Sequence, residues 1–157
     1  METETLTLKP VRKEELNKLA ELYLKAYEGL ESYAYTHPSD ALAYMEWLYR
    51  RDPEGFLVLK DGERPVGFVA ADANWFSKRA RKRVGAVHEL VVDPSYRGRG
   101  LGKMLLKKAL EYFKSKGLDE AELWVGDENE RAISLYRKEG FKEEGRYNYW
   151  VRMVKKL

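Results

Sequence analysis

The stretch Val92-Asp93-Pro94-Ser95-Tyr96-Arg97-Gly98-Arg99-Gly100-Leu101-Gly102-Lys103 decides how the chain is read. Upstream, Val84 to Val92 has the apolar character of a long buried strand, which Asp93-Pro94 ends. Downstream, Leu101, Met104, Leu105, Ala109, Tyr112 and Phe113 recur at the i, i+3, i+4 spacing of an amphipathic helix, with Gly117 as its stop. Three alternate glycines at the helix start leave backbone N–H groups uncovered and let an anion come close. The helix dipole adds positive potential there, and Arg97, Arg99 and Lys103 add full charges. The turn therefore reads as a phosphate or pyrophosphate pocket, the plainer alternative being a flexible basic surface turn. Two common phosphate loops do not fit. Lys103 is followed by Met104 rather than the Ser or Thr that holds magnesium, and Lys103 or Leu105 stands where a dinucleotide fingerprint needs its third glycine.

Working outward, Thr5 to Lys9 alternates as a short strand and Glu14 to Tyr27 carries helical spacing. A second helix is expected from about Ser39, as N-cap, to Arg50. Phe56 to Lys60 and Val66 to Ala71 read as strands around the turn Asp61-Gly62. Beyond the central helix come a strand over Ala121 to Val125, a helix over Glu130 to Glu139 closed by Gly140, and a terminal strand over Tyr147 to Val154. The order β-α-α-β-β-β-α-β-α-β describes a single α/β domain over residues 1–157, with a mixed central sheet flanked by helices. Neighbouring strand ends should meet around Pro94 to Gly102.

A chain of 157 residues, 44% hydrophobic, can bury a core without covalent staples. The absence of cysteine excludes disulfides, thiolate metal sites and a cysteine nucleophile, and two histidines (His37 and His88) give no basis for a His-rich metal site, so no metal is expected. No apolar run approaches the roughly 20 residues of a membrane helix. The opening Met-Glu-Thr-Glu-Thr is acidic where a secretory leader is basic, which points to the cytoplasm. The net charge of +3 does not by itself indicate nucleic acid. Lys78-Arg79-Ala80-Arg81-Lys82-Arg83 concentrates five cations in six residues. At a hairpin tip this is most simply solvated charge, and otherwise a grip for an acidic partner, a second phosphate or RNA. With no zinc spacing and no RNA-binding aromatic strand motif, an RNA-binding module resting on Lys78 to Arg83 ranks last.

The segment from Val92 to Gly102 resembles the signature of GNAT acetyltransferases, [RQ]-x-x-G-x-[GA], which Arg97, Gly100 and Gly102 match. A second stretch, Asn129-Glu130-Arg131-Ala132-Ile133-Ser134-Leu135-Tyr136-Arg137-Lys138-Glu139-Gly140-Phe141, resembles the family's downstream N-x-x-A-x-x-L-Y-x-x-x-G-F. The pair, in order, extends the resemblance over nearly the whole chain. It implies acetyl-CoA as cosubstrate, its pyrophosphate over Arg97, Gly98, Arg99, Gly100, Leu101, Gly102 and Lys103. It also implies pantetheine contacts along Leu90, Val91 and Val92, and a cofactor contact from Asn129, for which helix N-capping is a compatible role. Tyr136 carries over as the acid that protonates the CoA sulfur; taken alone it is an aromatic on a helix face suited to core packing.

Acetyl transfer to an amine needs an unprotonated amine, a polarised carbonyl and a protonated leaving thiolate. Glu89, interrupting a mostly apolar strand, is the candidate base; a salt-bridged or solvent-facing Glu is the competing reading. Strand alternation puts His88 on the opposite side, as a structural histidine. Some peptide-directed members of the family carry a Glu on the next strand, where this chain has Leu123-Trp124-Val125. Tyr27, Tyr33, Tyr35, Tyr44, Trp47, Tyr147, Tyr149 and Trp150 could line an acceptor pocket, core or dimer packing being the alternative for most of them. The expected activity is N-acetyl transfer from acetyl-CoA to a primary amine, a small molecule or a peptide, by direct transfer in a ternary complex. A non-catalytic CoA-binding regulatory module is the rival, and because family members are often dimers a homodimer stays open.

Abundant Lys and Glu, no Gln and only four Asn are the composition of a heat-adapted protein. A thermal melt should have its midpoint above roughly 70 °C, against about 45–65 °C for mesophile domains; a midpoint near 50 °C, followed by circular dichroism, would remove the inference.

Overall fold

The computed structural model describes residues 5–157; the acidic Met1 to Glu4 lies outside the described residues. Seven strands form one sheet in the order β1-β2-β3-β4-β5-β7-β6. The chain runs β1 (Leu6–Pro10), α1 (Leu16–Ala26), α2 (Pro38–Arg51), β2 (Phe56–Asp61), β3 (Arg64–Ser77), β4 (Lys82–Val92), α3 (Leu101–Ser115), β5 (Glu120–Gly126), α4 (Glu130–Lys138), β6 (Lys142–Tyr147) and β7 (Trp150–Lys156). All neighbours are antiparallel except β4 and β5, so the sheet is mixed. One core lies under α1 and α2, with Leu19, Met45, Phe56 and Phe68 fully buried. The other lies under α3 and α4, around Leu105, Phe113 and Phe141. No helix among the described residues is long and apolar enough to cross a membrane.

Three boundaries differ from the sequence reading. Helix α2 starts at Pro38, not after Ser39, because proline suits a first helical position and His37 Nδ1 accepts the Ser39 N–H at 3.2 Å. The expected terminal strand is a hairpin, β6 and β7, joined at Asn148, which takes φ 54°. Lys-Glu-Glu-Gly-Arg-Tyr shows no buried face, being an edge strand almost wholly in solvent, so no period-two signal marks β6. Strand β3 continues past Ala71 to Ser77 because a bulge breaks its alternation there.

That bulge is one of two. In β3, Phe68 and Ala70 face the α1–α2 core while Val69 and Ala71 face α3. In β4, Glu89 pairs with Ala70 and Val87 with Ala71, which leaves His88 as an extra, unpaired residue. Val87 therefore packs against α3, and Val91, four residues on, against α1 and α2, although an unbroken strand would keep both on one face. An extra residue on β3 between Asp72 and Trp75 compensates. Its freed backbone groups are taken up: the Ala73 N–H donates to Asp52 at 2.8 Å, and the Ala73 carbonyl accepts from Arg83 Nε at 2.7 Å.

Strands β4 and β5 pair only at Gly85–Ala121 and Ala86–Glu122, then diverge. Phe113, fully buried, seats its ring on Gly85: a Cβ there would lie 2.3 Å from the ring. Gly85→Ala should therefore cost about 1–3 kcal/mol of overpacking, read as a lower denaturant midpoint at unchanged slope.

Candidate active site

Where β4 and β5 part, two cavities open on either side of a shared wall. The smaller, of about 410 Å³, lies against the start of α3; the larger, of about 880 Å³, runs under α1, α2 and the β6–β7 hairpin. Tyr27, Leu90, Asn129, Ala132 and Tyr136 line both.

The smaller cavity gathers Leu90, Val91, Val92, Arg97, Gly98, Gly100, Leu101, Gly102, Lys103, Asn129 and Tyr136 from the expected cofactor set, and adds Arg131. Arg99 is the exception: its guanidinium lies over the Tyr96 ring, 4.7 Å from the centroid, and not on the cavity wall. Gly98 and Gly100 take left-handed φ of 82° and 76°, and nothing stands within 4 Å of where their Cβ atoms would be. The first backbone bond into α3 is Met104 N–H to the Gly100 carbonyl, so the N–H groups from Gly98 to Lys103 have no acceptor among the described residues. Burial, and then repulsion from Arg131, holds the Arg97 guanidinium below its ordinary pKa. Open N–H groups, absent Cβ atoms and two facing guanidiniums fit a diphosphate. Asn129 precedes α4 but makes no side-chain cap, which leaves its amide available to the cavities.

The turn is held in place by Asp93. Burial opposes its ionisation, but the Ser95 N–H and hydroxyl and the Lys25 ammonium outweigh this and hold the carboxyl at about 2.

Glu89 lies on the wall of the larger cavity, buried, with no cation partner among the described residues. Tyr27 donates to its Oε2 at 2.5 Å and Tyr44 to its Oε1 at 2.9 Å. Burial pushes the carboxyl up to about 7, against the lowering effect of the two phenols and the Leu90 N–H. It is thus neither salt-bridged nor solvent-facing. The Tyr136 hydroxyl has no protein partner among the described residues; burial, then the nearby Glu89 carboxylate, raise its pKa. Because of the bulge, His88 lines the same cavity as Glu89 and does not face away from it. Its Nε2 lies 2.8 Å from Asp72, its ring is packed edge-on by Trp47 and Trp75, and Arg51 completes the cluster at 2.8 Å from Asp72.

Of the aromatic residues expected on the acceptor side, Tyr27, Tyr33, Tyr35, Tyr44, Tyr147, Tyr149 and Trp150 line the cavity, and Trp47 lies behind them. Tyr23, Trp75, Trp124 and Glu122 also line it and belong to no sequence motif, since only the closed sheet assembles them, and Lys78 and Arg79 join from the start of the basic run. The basic run does not form one patch. Lys82 pairs with Asp119 and Glu120, and Arg83 is spent on the Ala73 carbonyl.

The sequence matches the Acetyltransferase (GNAT) family over residues 16–141. The chain belongs to that family. An uncharacterized N-acetyltransferase of Methanocaldococcus jannaschii is 45% identical over 153 residues, which span 98% of this chain and 68% of that protein. The crystal structure of PH1933 from Pyrococcus horikoshii superposes with a TM-score of 0.88 at 40% identity, covering 97% of this chain and 98% of the other. The PaiA N-acetyltransferase from Thermoplasma acidophilum, solved in complex with coenzyme A, shares the fold, with a TM-score of 0.75, 22% identity and coverage of 98% and 99%. This GNAT acetyltransferase thus has archaeal relatives, in keeping with its heat-adapted composition.

The Glu89 carboxyl of this acetyltransferase gives a stability signature independent of catalysis. Its folded pKa of about 7 exceeds the ordinary 4.5, so the folded state binds the extra proton and stability falls as pH rises from about 4.5 through 7. Glu89→Gln should remove that slope and raise stability at pH 8 by up to about 3 kcal/mol, compared by denaturant titration at pH 5 and pH 8.

Proposed function

We propose that the chain, acting as one domain over residues 1–157 in the cytoplasm, transfers acetyl from acetyl-CoA to a primary amine directly, in a ternary complex. What carries the reading is Tyr136 on the wall that the two cavities share, with Glu89 on the larger cavity hydrogen-bonded to Tyr27 of that same wall. Acetyl-CoA would lie in the smaller cavity, its diphosphate on the N–H groups of the Gly98 to Lys103 turn and on Arg97, Lys103 and Arg131, its arm along Leu90 to Val92. It supplies the activated acetyl group as a thioester.

The chain's own residues divide the proton work. Glu89, about half ionised near pH 7, accepts a proton from the acceptor's ammonium, directly or through a water, while Tyr27 and Tyr44 keep its carboxylate oriented. A cationic amine is also the charge that a buried carboxylate without a counterion favours. As the N–C bond forms and the C–S bond breaks, Tyr136 gives its proton to the departing sulfur, the nitrogen's second proton passes through water to restore the Tyr136 phenol, and the proton taken by Glu89 leaves to solvent. One proton is released overall. Burial keeps the Tyr136 phenol protonated until that step.

Thiol release from acetyl-CoA reads this directly, since a cysteine-free protein contributes no background. Tyr136→Phe should lower kcat by about a hundredfold with CoA affinity nearly unchanged. Glu89→Gln should lower kcat/KM similarly and erase the rising limb of the pH profile near 7. Saturable CoA binding without release from any amine pool would instead favour a CoA-binding regulatory module. Unchanged turnover in Tyr136→Phe would assign that residue to packing.

A further inference from the structure

The larger cavity carries opposite charge at its two ends. Glu89 lies deep in it, and Lys78 and Arg79, from the hairpin joining β3 to β4, line its mouth. The other acidic group on the wall, Glu122, is already compensated, because Arg152 Nε and Ser77 Oγ each reach its Oε2 at 2.6 Å. Neighbouring cations are engaged as well: Lys82 with Asp119, Arg146 with Asp127, Arg83 with the Ala73 carbonyl. Lys78 and Arg79 alone on this wall have no carboxylate partner among the described residues.

Arg79 is also held. Its guanidinium lies 5.3 Å from the Trp124 ring centroid, and it fills the space beside Gly145, where a Cβ would meet Nη1 at 3.0 Å. A guanidinium stacked on one aromatic face keeps its planar fork for a carboxylate. These cations are remote from the cofactor's diphosphate. Neither lines the smaller cavity that holds the glycine turn, and the Arg79 guanidinium lies over Trp124 of β5 instead. Between Glu89 and the mouth, Tyr33, Tyr44, Trp75, Tyr149 and Trp150 offer flat apolar surface.

We propose that the acceptor is a primary amine with an aromatic body and a carboxylate at its far end, seated on Arg79 and Lys78; this rests on the reading of Glu89 as the group that receives the amine. The same cations act against polycationic acceptors. A polyamine or an aminoglycoside entering amine-first would leave further positive charge beside Lys78 and Arg79.

The test compares para-aminomethylbenzoate with para-aminomethylbenzamide, matched in shape and different in charge, with spermidine as the polycation. The wild type should show kcat/KM about tenfold or more higher for the benzoate than for the benzamide, and least activity with spermidine. The double variant Lys78→Ala/Arg79→Ala should bring the benzoate-to-benzamide ratio close to one. Lys107→Ala/Lys114→Ala, which removes the same two positive charges from exposed positions of α3, should leave the ratio as in wild type. A ratio near one in the wild type, or one that survives the double variant, overturns the subsite while acetyl transfer stands. Should neither amine be turned over, quenching of tryptophan fluorescence with CoA present decides. Tighter benzoate binding lost in the double variant upholds the subsite, and the amine-pool assay then decides the catalytic reading, whereas equal binding of both amines overturns the subsite.

Discussion

The extra residue at His88 is the constraint on which the arrangement of the site depends. In an unbroken β4, Glu89 would share a face with Val87 and point into the apolar core under α3, among Phe113 and its neighbours. A carboxyl there would meet no hydrogen-bond donor. The bulge moves every residue after Val87 to the other face, so that Glu89 meets Tyr27 at the end of α1 and Tyr44 on α2. The same shift puts Leu90 and Val92 on the α3 side, where they border the smaller cavity. One inserted residue thus decides which wall carries the carboxylate and which carries the apolar edge of the smaller cavity. It has a local cost in ladder hydrogen bonds: the His88 carbonyl accepts from the Tyr44 hydroxyl at 3.3 Å, and on the compensating bulge of β3 Asp52 and Arg83 take up the backbone groups of Ala73.

Glu89 differs in kind from the chain's other buried acids. Glu15 has Lys60, Asp72 has Arg51, Asp93 has Lys25 and Arg64, Glu120 has Lys82, and Glu122 has Arg152. Asp52 has no cation but accepts two backbone N–H groups and the Tyr112 hydroxyl. Each of these is a structural acid whose oxygens are met by cations or hydrogen-bond donors of the protein. Glu89 faces two phenols, neutral donors weaker than a cation, in a place where burial dominates. The chain has 29 Lys and Arg side chains and supplies none to Glu89 among the described residues, so burial of this carboxyl is met by a raised proton affinity and not by a counterion.

How much could be read from sequence follows the range of the interactions involved. The glycine turn is local: strand, Asp93-Pro94, positive-φ glycines and an amphipathic helix all lie within about thirty residues, and each leaves its mark in residue type. The α4 motif is local as well. The bulge at His88 is not, because it is defined by pairing with Ala70 and Ala71, and nothing in Val-His-Glu-Leu says that one residue is unpaired. The partnership of Glu89 with Tyr27 and Tyr44 spans 62 and 45 positions and exists only once two helices have packed on the sheet. Strand β6 escaped for a third reason. An edge strand with solvent on nearly every side chain has no period to detect, and it is defined by backbone pairing with β7 alone.

The charges, nearly balanced over the whole chain, are sorted by position along β4. At its Val92 end stand Arg97, Lys103 and Arg131 with the open N–H groups of α3, and at its Lys82 end stand Lys78 and Arg79. Between them the walls are aromatic and aliphatic, with Glu89 as the one acid lacking a cation. Two positive ends flanking a negative centre favour a pair of ligands that enter from opposite sides, each with its anionic part outward and its reactive part inward. A diphosphate fits the first end. At the second, an acceptor of the proposed kind would meet the same electrostatics, which act against a cationic far end whatever the fit of its body to the aromatic walls. The divergence of β4 from β5 is what lets the two inner ends meet, because a fully paired ladder would fill the shared wall with backbone and close the passage at Tyr136.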